Sequence, residues 1–132
     1  MAGERVEWFR GLVATWNAGD VDAFLDGLGP DFTFTPDPSF PDAGTYGGED
    51  LRRWLGEWAR TWDESRLELL WTTEVGQAVL AGARWHLTAA TRQPIPLRDF
   101  HFVVWFDGDR PLRGAAFFEE EQAREAAGRL PG

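Results

Sequence analysis

Few side chains in this sequence have both the type and the spacing to do chemistry. His86 and His101, the two histidines of the chain, stand on neighbouring stretches of alternating residues, Ala78 to Thr88 and Leu97 to Asp107. If Ala90 faces Leu97 across Thr91-Arg-Gln-Pro-Ile-Pro96, the two imidazoles lie directly opposite each other, with Cβ atoms about 4.5 to 5.5 Å apart. Such a pair could share a proton, a water or a metal ion. Asp99, on the same parity as His101, would complete a two-histidine, one-carboxylate set. Tyr46, the single tyrosine, stands before a helix and offers a hydroxyl to a ligand oxygen, or else pins the proline-rich loop beside it.

The elements that must position these groups follow from periodicity. Val79, Ala81, Ala83 and Trp85 alternate with Leu80, Gly82, Arg84 and His86, and Phe100, Phe102, Val104 and Phe106 alternate with His101, Val103 and Trp105. A period of two predicts a sheet with unlike faces. In the register above, Trp85 faces Phe102 and Ala83 faces Val104, and this apolar face meets the helices. His86, His101, Asp99, Arg84 and Thr88 then take the outer face, where Val103 and Trp105 suit partial burial by a second copy. A one-residue slip would separate the histidines. Leu67, Leu69 and Trp71 share a parity on the preceding strand, and Asp107-Gly-Asp-Arg110 turns the chain into the last one. Upstream, Val6, Phe9, Val13 and Trp16 form one helical stripe, and Val21, Phe24, Leu25 and Leu28 a shorter one. Leu51, Trp54, Leu55, Trp58 and Trp62 recur at helical spacing in a third helix, as core packing or as a row that stacks a ligand. Glu119 to Gly128 closes the chain as a polar helix.

At 132 residues the chain fits a single domain, 1–132. With 22 acidic against 13 basic side chains, the formal charge of −9 argues against nucleic-acid backbones and anionic membrane surfaces. The absence of cysteine excludes disulfides and thiolate metal sites. No apolar run of signal-peptide or membrane-span length stands out, so a cytoplasmic protein is expected. Eight Trp and ten Phe lean towards a cavity or an interface.

Asn17-Ala-Gly-Asp20, the loop Pro36-Asp-Pro through Gly44-Thr-Tyr-Gly-Gly48, Phe106-Asp-Gly-Asp-Arg-Pro-Leu112 and Glu125-Ala-Ala-Gly128 together resemble the SnoaL-like branch of the nuclear transport factor 2 superfamily. That resemblance implies an α+β cone: a curved, mostly antiparallel sheet with three helices from the first half of the chain enclosing an apolar pocket. It does not imply one function, because the cone hosts isomerases, cyclases, dehydratases, hydrolases and binders. Against the ketosteroid isomerases, the oxyanion-binding tyrosine matches Leu12 and the second acid matches Phe102, so both donors are missing. Asp37-Pro38 is similar to the pair that carries their general base, with the alternative that Asp37 caps a turn between two prolines. Glu119 matches the catalytic carboxylate of the SnoaL-type cyclases, or else starts a solvated acidic helix end.

The expected function is binding or turnover of a small, largely apolar ring compound. Asp37, Tyr46 and Glu119 are the catalytic candidates. Trp16, Trp54, Trp58, Trp85, Phe102, Val104 and Phe117 are the ligand-binding candidates. The alternative is a non-catalytic hydrophobic-ligand-binding or assembly domain. No cofactor and no metal are expected, and a homodimer is.

Overall fold

The computed structural model describes residues 3–39, 44–62, 64–88, 94–95 and 99–129. Helix α1 (Glu4–Asn17) carries Phe9, Leu12, Val13 and Trp16 on its buried side, the spacing that puts every apolar residue of a helix on one stripe. Asp20 accepts a hydrogen bond from the Ala23 amide at 2.9 Å and so caps α2 (Val21–Leu28). Strands β1 (Thr33–Thr35) and β2 (Tyr46–Gly47) lead into α3 (Gly48–Thr61). Then come β3 (Glu64–Val75), β4 (Ala78–Thr88), the two-residue β5 (Pro94–Ile95), β6 (Phe100–Asp107), β7 (Arg110–Phe117) and α4 (Glu120–Ala127). Gly108, at φ +60°, makes the left-handed turn between β6 and β7. Among the described residues no helix is long and apolar enough to cross a membrane.

The sheet runs β2-β1-β7-β6-β4-β3, with β5 on β4. Among the described residues β1 and β7 run parallel, and the other pairs are antiparallel. Helices α1, α2 and α3 cover the concave face, so the chain is the expected α+β cone. Phe102 pairs with Ala81 and Val104 with Val79, so β6 lies four residues nearer the start of β4 than the expected partners Trp85 and Ala83 would place it. The cause is β5, which takes Leu87 and Thr88 as its own partners and leaves β6 to begin lower on β4. An even shift keeps every side chain on its face. It parts the histidines all the same: His101 faces Gly82, and His86 faces Arg66 of β3. Of the expected loop, Thr91 to Pro96, only Pro94 and Ile95 are among the described residues; the rest of it, and the Ala90 and Leu97 expected to face each other across it, lie outside them.

A bulge in β3 between Leu69 and Trp71 makes a second departure. Leu67 and Leu69 pack inward, but the extra residue, exposed Leu70, turns Trp71 to the outer face. The Trp71 indole lies against Gly82, where an added Cβ would stand 2.3 Å from its Nε1. The outer face also has its own cover. Val103 and Trp105, expected to meet a second copy, are buried with Leu80 and Ala115 beneath Ala123 and Ala127 of α4. The Trp105 indole donates to the Arg129 carbonyl at 3.2 Å, and the Arg113 guanidinium lies over its ring.

Asn17, the last residue of α1, grips the backbone of Leu67. Its Nδ2 donates to the Leu67 carbonyl and its Oδ1 accepts from the Leu67 amide, each at 2.8 Å. Strand β3 is an edge strand, so Asn17 stands in for the missing neighbour at one rung. Asn17→Ala should lower the unfolding free energy by about 2 kcal/mol in urea titrations, the sum of two such bonds.

Candidate functional site

Between the helices and the concave face lies a cavity of about 110 Å³. Two helices wall it with the same spacing, α1 with Phe9, Leu12, Val13 and Trp16, and α3 with Leu51, Trp54, Leu55 and Trp58. Residues three and four apart share a helix face, so each stripe points inward as a unit. The sheet contributes Leu67, Trp85, Phe100, Phe102, Val104 and Ala116, and α2 and the β1 segment close the end with Phe24, Leu28, Phe32, Phe34 and Pro36. Apart from indole nitrogens, none of these side chains carries a polar atom. The tryptophans therefore form walls without filling the space: Trp16 and Trp85 meet edge to face at 6.0 Å, and Trp58 lies 5.6 Å from Trp85.

Of the residues expected to bind a ligand, Trp16, Trp54, Trp58, Trp85, Phe102 and Val104 stand in the wall and Phe117 does not. Ala116 is the inward residue of β7, so alternation sends Phe117 to the outer cluster. Phe9, Leu12, Phe100 and Ala116 are wall residues that were not among the expected ligand-binding residues. Phe100 shares the parity of Phe102, and Phe9 and Leu12 share the α1 stripe with Trp16, so the same periodicity carried the signal.

The three catalytic candidates lie outside the wall. Asp37 is 6% exposed, and its carboxylate is engaged by donors. Oδ1 accepts from the Ser39 amide at 2.8 Å and from the Ser39 hydroxyl at 2.6 Å, and Oδ2 accepts from the Phe118 amide at 2.9 Å. It thus ties the segment after β1 to the end of β7. Glu119, one residue beyond Phe118, is exposed at the N-cap of α4, where its carbonyl accepts from the Ala123 amide. Tyr46 is half-buried on β2, paired with Phe34 and stacked on Trp54 at 5.0 Å. Asp37 and Glu119 are brought to the same corner of the sheet, and Tyr46 lies beyond β1 from it.

The outer-face polar groups pair among themselves. The His86 hydrogen bond, 2.9 Å to Glu68, holds that carboxyl below its ordinary range. The hydrogen bonds from Arg84 do the same to Asp99, and Asp99 in turn raises Arg84. His101 is engaged elsewhere: its Nδ1 lies 3.1 Å from the Phe118 carbonyl, and its Nε2 is 3.8 Å from Glu120. The set His86, His101 and Asp99 is therefore not assembled at one point.

The fold has solved counterparts. An NTF2-like protein of unknown function from Burkholderia pseudomallei is 18% identical, with 94% of this chain and 97% of that chain covered and a TM-score of 0.74. TerC, co-crystallized with polyporic acid, is 18% identical over 94% of this chain and 98% of its own, with a TM-score of 0.74. A hypothetical protein with a ketosteroid isomerase-like fold from Catenulispora acidiphila, in complex with trimethylamine, is 14% identical over 99% of this chain and 96% of its own, with a TM-score of 0.73. These likenesses establish the fold. No curated protein matches the chain. The family model described as a SnoaL-like domain matches residues 9–113, and the chain belongs to that family.

Proposed function

We propose that this protein binds one small, largely apolar ring compound in the cavity and applies no acid-base chemistry of its own there. The observation that carries this reading is the wall: a cavity of about 110 Å³ with no carboxylate, imidazole or hydroxyl among the described residues that line it. General acid-base catalysis needs such a group within hydrogen-bond reach of the reacting atom. The buried carboxylate beside the cavity, that of Asp37, is occupied in holding two segments together. An apolar cavity of about 150 Å³ takes up a single benzene ring, so the space here suits one ring. TerC, similar in fold, was co-crystallized with polyporic acid, a parallel at the level of fold.

Toluene is the appropriate probe. Seven non-hydrogen atoms at about 0.7 kcal/mol each correspond to a dissociation constant of roughly 0.2 mM. Isothermal titration should give one saturable site of that order. Ala116→Phe, which puts a ring into the space from the sheet side, should weaken binding at least tenfold, whereas Leu70→Ala on the exposed bulge should leave it unchanged. Equal affinity in a folded Ala116→Phe protein would refute the assignment of the cavity.

A further inference from the structure

We propose that the ligand enters and leaves the cavity past Trp58, and that Ser65 is a positioning residue for this passage, its hydroxyl latching the Trp58 indole across the gap between α3 and β4. The proposal rests on the cavity being the ligand site. Trp58 stands in the wall, and its Nε1 donates to the Ser65 hydroxyl at 3.2 Å. Ser65 comes from the rim of the sheet. It pairs with Leu87 of β4, and it shares the inward parity of the wall residue Leu67, which pairs with Trp85. The hydroxyl thus lies one inward step beyond the wall, where the indole of α3 reaches it.

The wall is not equally thick all round. On α1, Phe9, Leu12, Val13 and Trp16 are each 5% or 6% exposed. On α3, Leu51 is buried, but Trp54, Leu55 and Trp58 are half-buried. Both stripes line the same cavity. The surface of the cavity therefore does not account for the difference, and the α3 side chains reach solvent as well. Trp85, which meets Trp58 at 5.6 Å, is half-buried too. These two rings close the thinnest part of the wall. The start of α3 is held by Leu51 in the core and by Arg52, which pairs with Asp22 of α2 at 2.8 Å. Trp58 lies about two turns further on, where the hydrogen bond to Ser65 ties the helix to β3. Breaking that bond frees the indole to turn away from Trp85 and opens a way for one ring. A gate of this kind sets rates without setting affinity, because the same opening serves entry and exit.

Line-shape analysis of the Leu12 and Leu55 methyl resonances during a toluene titration gives the association and dissociation rates. Ser65→Ala should raise both rates about five- to tenfold, the factor for one net hydrogen bond. The dissociation constant should stay within about twofold, since both rates pass through one opening. Ser65→Thr keeps the hydroxyl and should return both rates to those of the wild type. Trp105→Phe removes an indole hydrogen bond of the same kind, to the Arg129 carbonyl on the outer face, and should leave both rates unchanged. If toluene binds the wild type, but Ser65→Ala leaves the rates as they were or Trp105→Phe raises them as much, the latch is overturned and the cavity stands. A Ser65→Ala protein that loses affinity at an unchanged association rate overturns it as well, because Ser65 would then support the bound ring and not the way in. If toluene does not bind the wild type up to its solubility, the cavity reading is overturned and this proposal with it.

Discussion

Phe100→Ala should cost about 3 to 5 kcal/mol of unfolding free energy, and toluene should restore more of that loss than it adds to the wild type. Phe100 is 2% exposed, stacks on Phe118 at 4.7 Å and forms part of the cavity wall. Removing a buried phenylalanine ring gives up its transfer free energy and leaves a void. Against a typical stability of about 5 to 15 kcal/mol, the variant would stand close to unfolding. The void would be continuous with the existing space, so a ring compound fits it better than before. At ten times its dissociation constant a ligand adds about 1.4 kcal/mol of stability. Urea titrations with and without toluene measure both effects. Phe106→Ala is the control, because Phe106 is as deeply buried, at 1% exposure, but lies outside the wall. Its loss should be of the same size and its recovery no larger than that of the wild type. Equal recovery in the two variants would mean that Phe100 does not border the binding space.

Asp37→Ala should destabilize the protein by about 3 kcal/mol, and Asp37→Asn by about 2 kcal/mol, since the amide keeps one acceptor oxygen. The parallel pair of β1 and β7 spans only Thr33 to Thr35 against Arg113 to Ala115. The carboxylate extends that junction beyond the strands by joining Ser39 to the Phe118 amide. Its loss leaves donors at the seam with no charged acceptor. A carboxylate kept free for proton transfer would behave differently: Asp37→Asn would fold as well as the wild type and lose only turnover. Thermal and urea unfolding of the two variants separate these outcomes.

Strands and faces were legible in the sequence because a period of two survives everything except an odd shift. Pairing depends on where a connection ends. Nothing in Thr91 to Pro96 announces that Pro94 and Ile95 pair back onto β4, so the partners of Phe102 and the meeting of the histidines were misplaced. A bulge is equally silent, and Trp71 changes face because Leu70 is the extra residue and Gly82 leaves room for an indole. The tryptophan row of α3 was legible as a helix face, and Trp54 and Trp58 prove to be half-buried walls of a small cavity, whereas Trp62 lies past the end of the helix and outside the wall. The surroundings of Asp37 were beyond sequence reasoning for a simple reason: one of its donors, the Phe118 amide, comes from a residue 81 positions away. The cover of Val103 and Trp105 was missed because the closing helix looks polar throughout, and only the small side chains of Ala123 and Ala127 let it lie on the sheet.

The claim that the cavity takes a single apolar ring is tested most directly by titrating benzene into protein labelled at the leucine methyl groups. Leu12, Leu28, Leu51, Leu55 and Leu67 line the cavity, Leu80 is fully buried in the outer cluster, and Leu70 is exposed. The result expected is a saturable set of ring-current shifts at the five wall leucines, with Leu80 and Leu70 unmoved. Silence at the wall leucines up to the solubility of benzene, or shifts as large at Leu70 as in the wall, would contradict it.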